Sequence, residues 1–551
     1  VVGNDRLQRL AAWKSFTQPL RADIADIARR DRQAGVGVAR YPHRLFDVRW
    51  LDSGHAFFEL VGVVNRLDRR PFHTSACGET RLVYRLAYRD GALRSRLPMT
   101  VGVELRGDAP DADGSCRDAA RRWFAPAGLD ERRLGEWLVS SDGPLAPARL
   151  AHERIAQVTV NLQSVRWPSA VRPDLGGHAE YLLRGYRWRA DGARYEPHPL
   201  ENTPDVGRLR REPALQAALG AWLREPANLR ALDEGTLRVP ERFLATSAVS
   251  VAPRGLSRFA NRPFTQLFGT QAWPSVAGTR TPGSAEGTLR RLDDLTCMGC
   301  HQSRSVAGFH LLGEDRAGVT RTFMAGNALA LPGSPHLQEE LARRAVYVDA
   351  SLSRTVPDPF RPPAESGGAR RGFGSACGLN DPAFAGWTCE KGSSCRAHGS
   401  AAPGAAVGVC MPDTPAVGAI CEPTRVTASA DPAKDRALRL PAAGCGPSGV
   451  CEATGVGFPG GMCSGPCDPR APDGTCGRIA ILTDFNQCLA ARRPFEECLA
   501  EHTRPAQLRT CSATQPCRED YICAQSDGQR GGRGACIPPY FLFQMRVDGH
   551  P

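Results

Sequence analysis

Lysine is almost missing from this 551-residue chain. Lys14, Lys391 and Lys434 are the three among 70 basic residues, and arginine supplies the rest. The arginines mix with acids, as in Arg66-Leu67-Asp68-Arg69-Arg70, and no block of five or more like charges occurs. No nucleic-acid motif accompanies them, so the net charge of +12 does not indicate a nucleic-acid partner. A basic face that docks an acidic redox partner protein is compatible with that charge. Long apolar runs are missing too, and without a stretch of 18 apolar residues no transmembrane helix is expected. The Gly-rich phosphate loop, the Gly-x-Ser-x-Gly elbow and the His-Glu-x-x-His zinc helix are all lacking, so no enzyme class is assigned. No signal peptide opens the chain: Val1-Val2-Gly3-Asn4-Asp5 leads straight into polar sequence. The expectation is an export signal already removed.

Cysteine, by contrast, is abundant. Twenty cysteines are far too many for a reduced cytosolic chain of this composition and point to an oxidising compartment, periplasmic or extracellular at the cell surface. They divide into Cys77 and Cys116, then Cys297 and Cys300, then sixteen from Cys377 to Cys536. Every group is even, so the outer groups can pair internally and leave the central two free. A Cys77–Cys116 disulfide would close a loop of about 40 residues and contribute a few kcal/mol. The sixteen show an internal repeat. Gaps of 11, 5 and 14 residues separate Cys377, Cys389, Cys395 and Cys410. Gaps of 23, 5 and 11 separate Cys421, Cys445, Cys451 and Cys463, and gaps of 5, 5 and 12 separate Cys511, Cys517, Cys523 and Cys536. Cys467, Cys476, Cys488 and Cys498 would form an intervening subdomain. The sequence between them is rich in Gly, Pro, Ser, Ala and Asp, so cross-links must hold it. Two roles suit such a region: a brace for the rest of the chain, or an extracellular interaction module.

The central pair lies in Cys297-Met298-Gly299-Cys300-His301. Two cysteines two residues apart, with histidine directly after, form the covalent attachment sequence for c-type haem. On one helical turn each thiol can add to a vinyl group, and the adjacent imidazole is aimed at the iron. Asp293 and Asp294, one turn earlier, suit the positive end of a helix. Leu292, Leu295 and Met298 give that turn an apolar side for a porphyrin. Over about 60 residues the chain resembles the c-type cytochromes. The resemblance implies one covalent haem c held by Cys297 and Cys300, with His301 as proximal ligand. It favours methionine as the second axial ligand, usually from a more distant loop. In this chain His310, Met324 and His336 are the candidates within reach. His310 is too close to His301 to cross the ring easily. Met324, His336 and an open position for chemistry on the iron all stay as alternatives. Three rivals share the motif: a local disulfide, a zinc site using Cys297, Cys300 and His310 or His301, and a thioredoxin-like redox pair. No second Cys-x-x-Cys supports zinc, and Arg290–Thr296 does not read as the strand a thioredoxin-like motif follows.

Three regions emerge. Residues 1–285 read as α+β with a mainly antiparallel sheet. Two helical stretches are expected within Leu7–Arg29. Strands are expected at Phe57–Val64, Arg81–Tyr88, Met99–Leu105, Ile155–Leu162 and Tyr181–Trp188. Further helices are expected at Asp118–Phe124, Pro213–Arg224 and Asn228–Leu232. Residues 286–360 read as a small, mainly helical haem domain with a helix at Leu337–Tyr347. Residues 361–551 form the disulfide-rich region with little regular structure, after a linker marked by Pro357, Pro359, Pro362, Pro363 and Gly367-Gly368. The apolar end Tyr540–Val547 reads as a strand packed back on a domain. His73 near Cys77 and Glu79 reads as a surface-loop histidine, and His43, His55, His178 and His198 are scattered singletons. Two functions follow. One is an exported monohaem c-type protein moving electrons or doing haem redox chemistry. The alternative is a non-redox envelope, structural or adhesion protein in which Cys297–Cys300 is a disulfide or metal site.

Overall fold

Strand alternation builds the centre of the molecule. In the computed structural model the described residues are 2–33, 48–73, 75–90, 93–124, 128–165, 178–253, 263–269, 273–274, 277–280, 284–296, 336–353, 355 and 357–360, with short pieces between 376 and 537. Eight strands form one antiparallel sheet: β1 (Val2–Gly3), β2 (Ala56–Arg66), β3 (Glu79–Asp90), β4 (Leu93–Arg106), β5 (Ile155–Val165), β6 (His178–Arg189), β7 (Arg194–His198) and β8 (Ser247–Pro253). Strands β1 to β7 lie in chain order. Strand β6 is long enough to take β8 along His178–Arg184 and β7 along Gly185–Arg189.

One face of this sheet is apolar because every second residue is. Helix α1 (Asn4–Leu7) leads into the 23-residue α2 (Ala11–Gln33). Phe16, Leu20, Ile24 and Ile27 recur at helical spacing on α2 and close over Phe58, Leu86, Met99, Val101, Val160, Leu162 and Leu182. Burying each such side chain stabilises by roughly 1.5–3 kcal/mol. Polar pins fix the helix on the sheet: Arg184 donates to both carboxylate oxygens of Asp23 at 2.5 and 2.8 Å, and the Tyr186 hydroxyl donates to the Phe16 carbonyl at 2.8 Å. The strands expected from the sequence fall within β2 to β6, so the α+β antiparallel reading of this region stands.

The remaining helices of this region are α3 (Arg117–Phe124), α4 (Glu131–Val139), α5 (Val206–Arg211), α6 (Pro213–Leu223), α7 (Pro226–Glu234), α8 (Pro263–Phe268) and α9 (Ala285–Asp294). Helices α6 and α7 each begin at proline, whose missing N–H costs nothing in a first turn. Gly235, at φ 79°, ends α7 in the left-handed region that glycine enters freely. Leu209, Leu219, Leu229, Phe264, Phe268, Leu289 and Leu292 form a second core among these helices. Cys77 and Cys116 are bonded, with Cα atoms 5.5 Å apart across 39 residues of sequence. A loop of that length implies roughly 4 kcal/mol of stabilisation.

The described ends of the 286–360 segment do not stand apart as a small helical domain. Helix α9 belongs to the second core through Leu289 and Leu292. Helix α10 (His336–Leu352) packs Tyr347 and Val348 against Leu67, Cys77 and Ala120. The Cys297–His301 pentapeptide and the rest of 297–335 lie outside the described residues, as do the expected Tyr540–Val547 strand and residues 361–375 of the linker.

The cysteine repeat has a structural counterpart. Strands β9 (Ala376–Gly378), β10 (Ser393–Arg396) and β11 (Val407–Pro412) form a three-stranded sheet with β11 central. After the pair β12 (Thr424–Thr427) and β13 (Arg436–Arg439) comes the hairpin β14 (Val450–Glu452) and β15 (Met462–Ser464). Strands β16 (Thr510–Cys511), β17 (Ile522–Gln525) and β18 (Gly534–Ile537) form a second three-stranded sheet with β18 central. In all three units the third and fourth cysteines are register partners: Cys395 opposite Cys410, Cys451 opposite Cys463, Cys523 opposite Cys536. In the first and last units the first cysteine pairs with the glycine two residues before the fourth: Cys377 with Gly408, Cys511 with Gly534. Cys377 is bonded to Cys395, and Cys389 is also in a disulfide.

Candidate functional site

The residues leading to the Cys297–His301 pentapeptide are buried and hydrogen-bonded. Asp293 and Asp294 were expected at the start of a helix, but they close the last turn of α9. They are tolerated there because tertiary partners outweigh the unfavourable end of the dipole. Asp293, fully buried, accepts from the Phe264 N–H at 2.8 Å and the Thr265 hydroxyl at 2.6 Å, so it caps the neighbouring helix α8. Asp294 faces Arg290 at 3.4 Å, both side chains being under 5% exposed. Arg291 donates to the Leu232 and Asp233 carbonyls at 3.0 and 2.8 Å, satisfying the end of α7. Leu292, expected to face a porphyrin, is spent in the helical core with Leu295 beside it. The Thr296 hydroxyl donates to the Asp293 carbonyl at 2.7 Å and brings the chain to Cys297 from a buried stop.

The far end of that segment is held as firmly. His336 is the first residue of α10. About two turns along, Arg343 donates to Asp68 at 2.7 Å. Asp68 sits in the 3-10 turn Leu67–Phe72, and its two carboxylate oxygens also accept from Nε and Nη2 of Arg66, at 2.9 and 3.1 Å. Burial pushes the Asp68 carboxyl up, but Arg66, Arg344 and Arg343 outweigh burial and hold it well below the usual carboxylate range. Cys297, Cys300, His301 and Met324 lie outside the described residues, and of His336 only the backbone is placed.

A second constellation is fully described, on the sheet face away from α2. In register, Arg66 lies opposite Glu79, Arg81 opposite Glu104, and Glu104 opposite Gln157. Glu79, 3% exposed, is the hub. It faces Arg81 at 2.8 Å, Arg69 at 3.4 Å and the His73 ring at 2.8 Å. Arg81 reaches on to Glu104 at 3.5 Å, and Arg69 pairs bidentately with Glu201. Three carboxylates thus share two guanidiniums and one imidazole. Burial pushes Glu79 up, yet Arg81, Arg69 and the His73 bond outweigh it and keep the carboxyl well below its ordinary range. Glu104 is left with the shortfall: burial and the Glu79 charge outweigh Arg81 and push it up to about 7. The arrangement can hold a proton on Glu104 near neutral pH.

That proton has a consequence for stability. Folded Glu104 binds it more tightly than the unfolded chain does. Its contribution is therefore complete below the unfolded value of 4.5 and is lost as pH rises through about 7. Glu79 runs the other way, stabilising above its unfolded value and losing that stability on acidification. Glu104→Gln imitates the protonated state. Urea titrations from pH 5 to 8 are expected to show the wild type losing stability relative to E104Q, by roughly 2–3 kcal/mol over the range. A wild type that gains on E104Q as pH rises contradicts the assignment.

His73, read as a surface-loop histidine, is instead a quarter exposed and tied to Glu79. His55 stays exposed just before β2, its ring 3.2 Å from the Arg89 carbonyl near the end of β3. Half-buried His198, at the end of β7, has its ring pushed down by burial. The sequence reading missed Arg69, Arg81, Glu104 and Glu201. Only mid-strand charge alternation signalled them, and that pattern ordinarily marks a solvated face. Among the described residues no group of three or more His, Cys, Asp or Glu could hold a metal ion, and no helix is long and apolar enough to cross a membrane. No family model, no curated protein and no solved structure matches this chain.

Proposed function

We propose that this chain is an exported monohaem c-type redox protein, its haem joined to Cys297 and Cys300 with His301 as proximal ligand. The pentapeptide Cys297–His301 carries this reading. Cysteine usage supports it. Cys77–Cys116 and Cys377–Cys395 are disulfides, which suits a periplasmic or extracellular location and leaves the motif cysteines outside both bridges. When bound, the haem supplies a one-electron iron couple. The protein's part is to hold its attachment segment at both ends: Asp293 locks the entry on α8, and Asp68 anchors α10 through Arg343. His336, at the head of that anchored helix, is the preferred second axial ligand, with Met324 the other candidate. The disulfide-braced repeats serve as a brace or docking module beside the redox unit.

The reading is tested by spectroscopy on protein expressed with a haem c attachment system. Dithionite reduction is expected to give an α-band at about 550 nm that survives acid–acetone extraction. A colourless protein would leave the disulfide-braced envelope role instead.

A further inference from the structure

The end of β4 opens into a cleft. Arg106, Asp108, Arg122, Trp123, Arg149 and Arg154 line it, together with Cys77 and Glu79. Three guanidiniums converge on one carboxylate. Arg122 Nη1, Arg149 Nε and Arg154 Nη2 each donate to Asp108 at 2.9 Å. Burial pushes that carboxyl up, and the Arg149 and Arg154 contacts outweigh it and bring it below its ordinary range. Backbone carbonyls take other donors: Arg149 Nη1 reaches Ser141 and Gly143, and Arg154 Nε reaches Arg106.

The donors outnumber those acceptors. Arg122 Nε and Nη2, Arg149 Nη2 and Arg154 Nη1 make no hydrogen bond among the described residues. Neither does the side chain of Arg106, which stands exposed at the rim. The three inner guanidiniums are 22–28% exposed, so a solute can reach them. Four arginines line the cleft and three of them meet at Asp108, while the other lining carboxylate, Glu79, is committed to Arg69 and Arg81. The surplus exceeds one charge, and the donors come from three directions: strand end, helix α3 and the 147–154 turns. That suits a tetrahedral dianion better than a planar monocarboxylate.

We propose that this cleft binds a phosphate or sulfate group, as the free ion or as a small ester stacked on Trp123. The test is calorimetric titration of the full chain with inorganic phosphate, with acetate at matched ionic strength as control, on wild type and Arg106→Gln. Arg106 makes no described side-chain bond, so the variant is expected to melt as the wild type does without phosphate. Saturable phosphate binding, absent with acetate and weakened about tenfold in R106Q, is the expected result. Phenyl phosphate binding more tightly than phosphate identifies an ester as the ligand, and equal or weaker binding identifies the free ion. Equal affinity in wild type and R106Q, equal heats with acetate, or no saturation overturns the assignment. Because R122Q removes donors from inside the cleft, unchanged affinity in R122Q overturns it as well.

Discussion

Glu79→Ala is expected to cost about 3–5 kcal/mol of stability, the range found when one partner of a buried ionic cluster is removed. The carboxylate is 3% exposed and accepts from Arg69, Arg81 and His73 together. Without it, two guanidiniums under a quarter exposed face each other with only Glu104 and Glu201 to compensate. Water cannot make up the loss at that depth. Glu79→Gln keeps the shape and a hydrogen-bond acceptor but not the charge, so it is expected to fall between wild type and alanine. The exposed pair Asp26–Arg29, more than half exposed on both sides, provides the contrast: Asp26→Ala is expected to change stability by less than about 0.5 kcal/mol. Urea midpoints for the three variants decide the matter. A Glu79→Ala loss no larger than that of Asp26→Ala would mean that the cluster is solvated and does not organise this face.

Complete loss of covalent haem is the expected result for the double variant Cys297→Ala, Cys300→Ala. Each thioether needs its own sulfur, so removing both leaves no bond to the porphyrin. The fold of the first region is expected to survive. The sheet core under α2, the helical core and the Cys77–Cys116 bridge use neither cysteine. Far-ultraviolet circular dichroism therefore stays close to wild type while the visible bands vanish. Covalent haem retained in the double variant would place the attachment elsewhere, and loss of fold would make the motif part of the core.

The sheet was legible in the sequence because its core face is written in alternation. Leu82, Tyr84 and Leu86 alternate with Arg81, Val83 and Arg85, and that period admits only a strand. The same alternation hid the ionic cluster. Arg81 and Glu104 look like residues of a wetted face, and only the arrival of the Leu67–Phe72 turn and Glu201 from distant positions buries them. The place of Asp293 and Asp294 was misread for a related reason. Two aspartates resemble a helix start locally, and the donors that hold Asp293 at a helix end come from residues 264 and 265. Cysteine spacing transferred well: the five-residue spacer and the gap after it recur as a hairpin with opposed cysteines in each unit. The Cys297–His301 pentapeptide reading rests on five consecutive residues alone, and these lie outside the described residues.

The mass of the tryptic peptide Leu292–Arg304 tests the haem assignment most directly. The expected species carries one iron protoporphyrin added across both thiols. A peptide two hydrogens lighter than its reduced form, with no porphyrin, would show Cys297 bonded to Cys300 and contradict it.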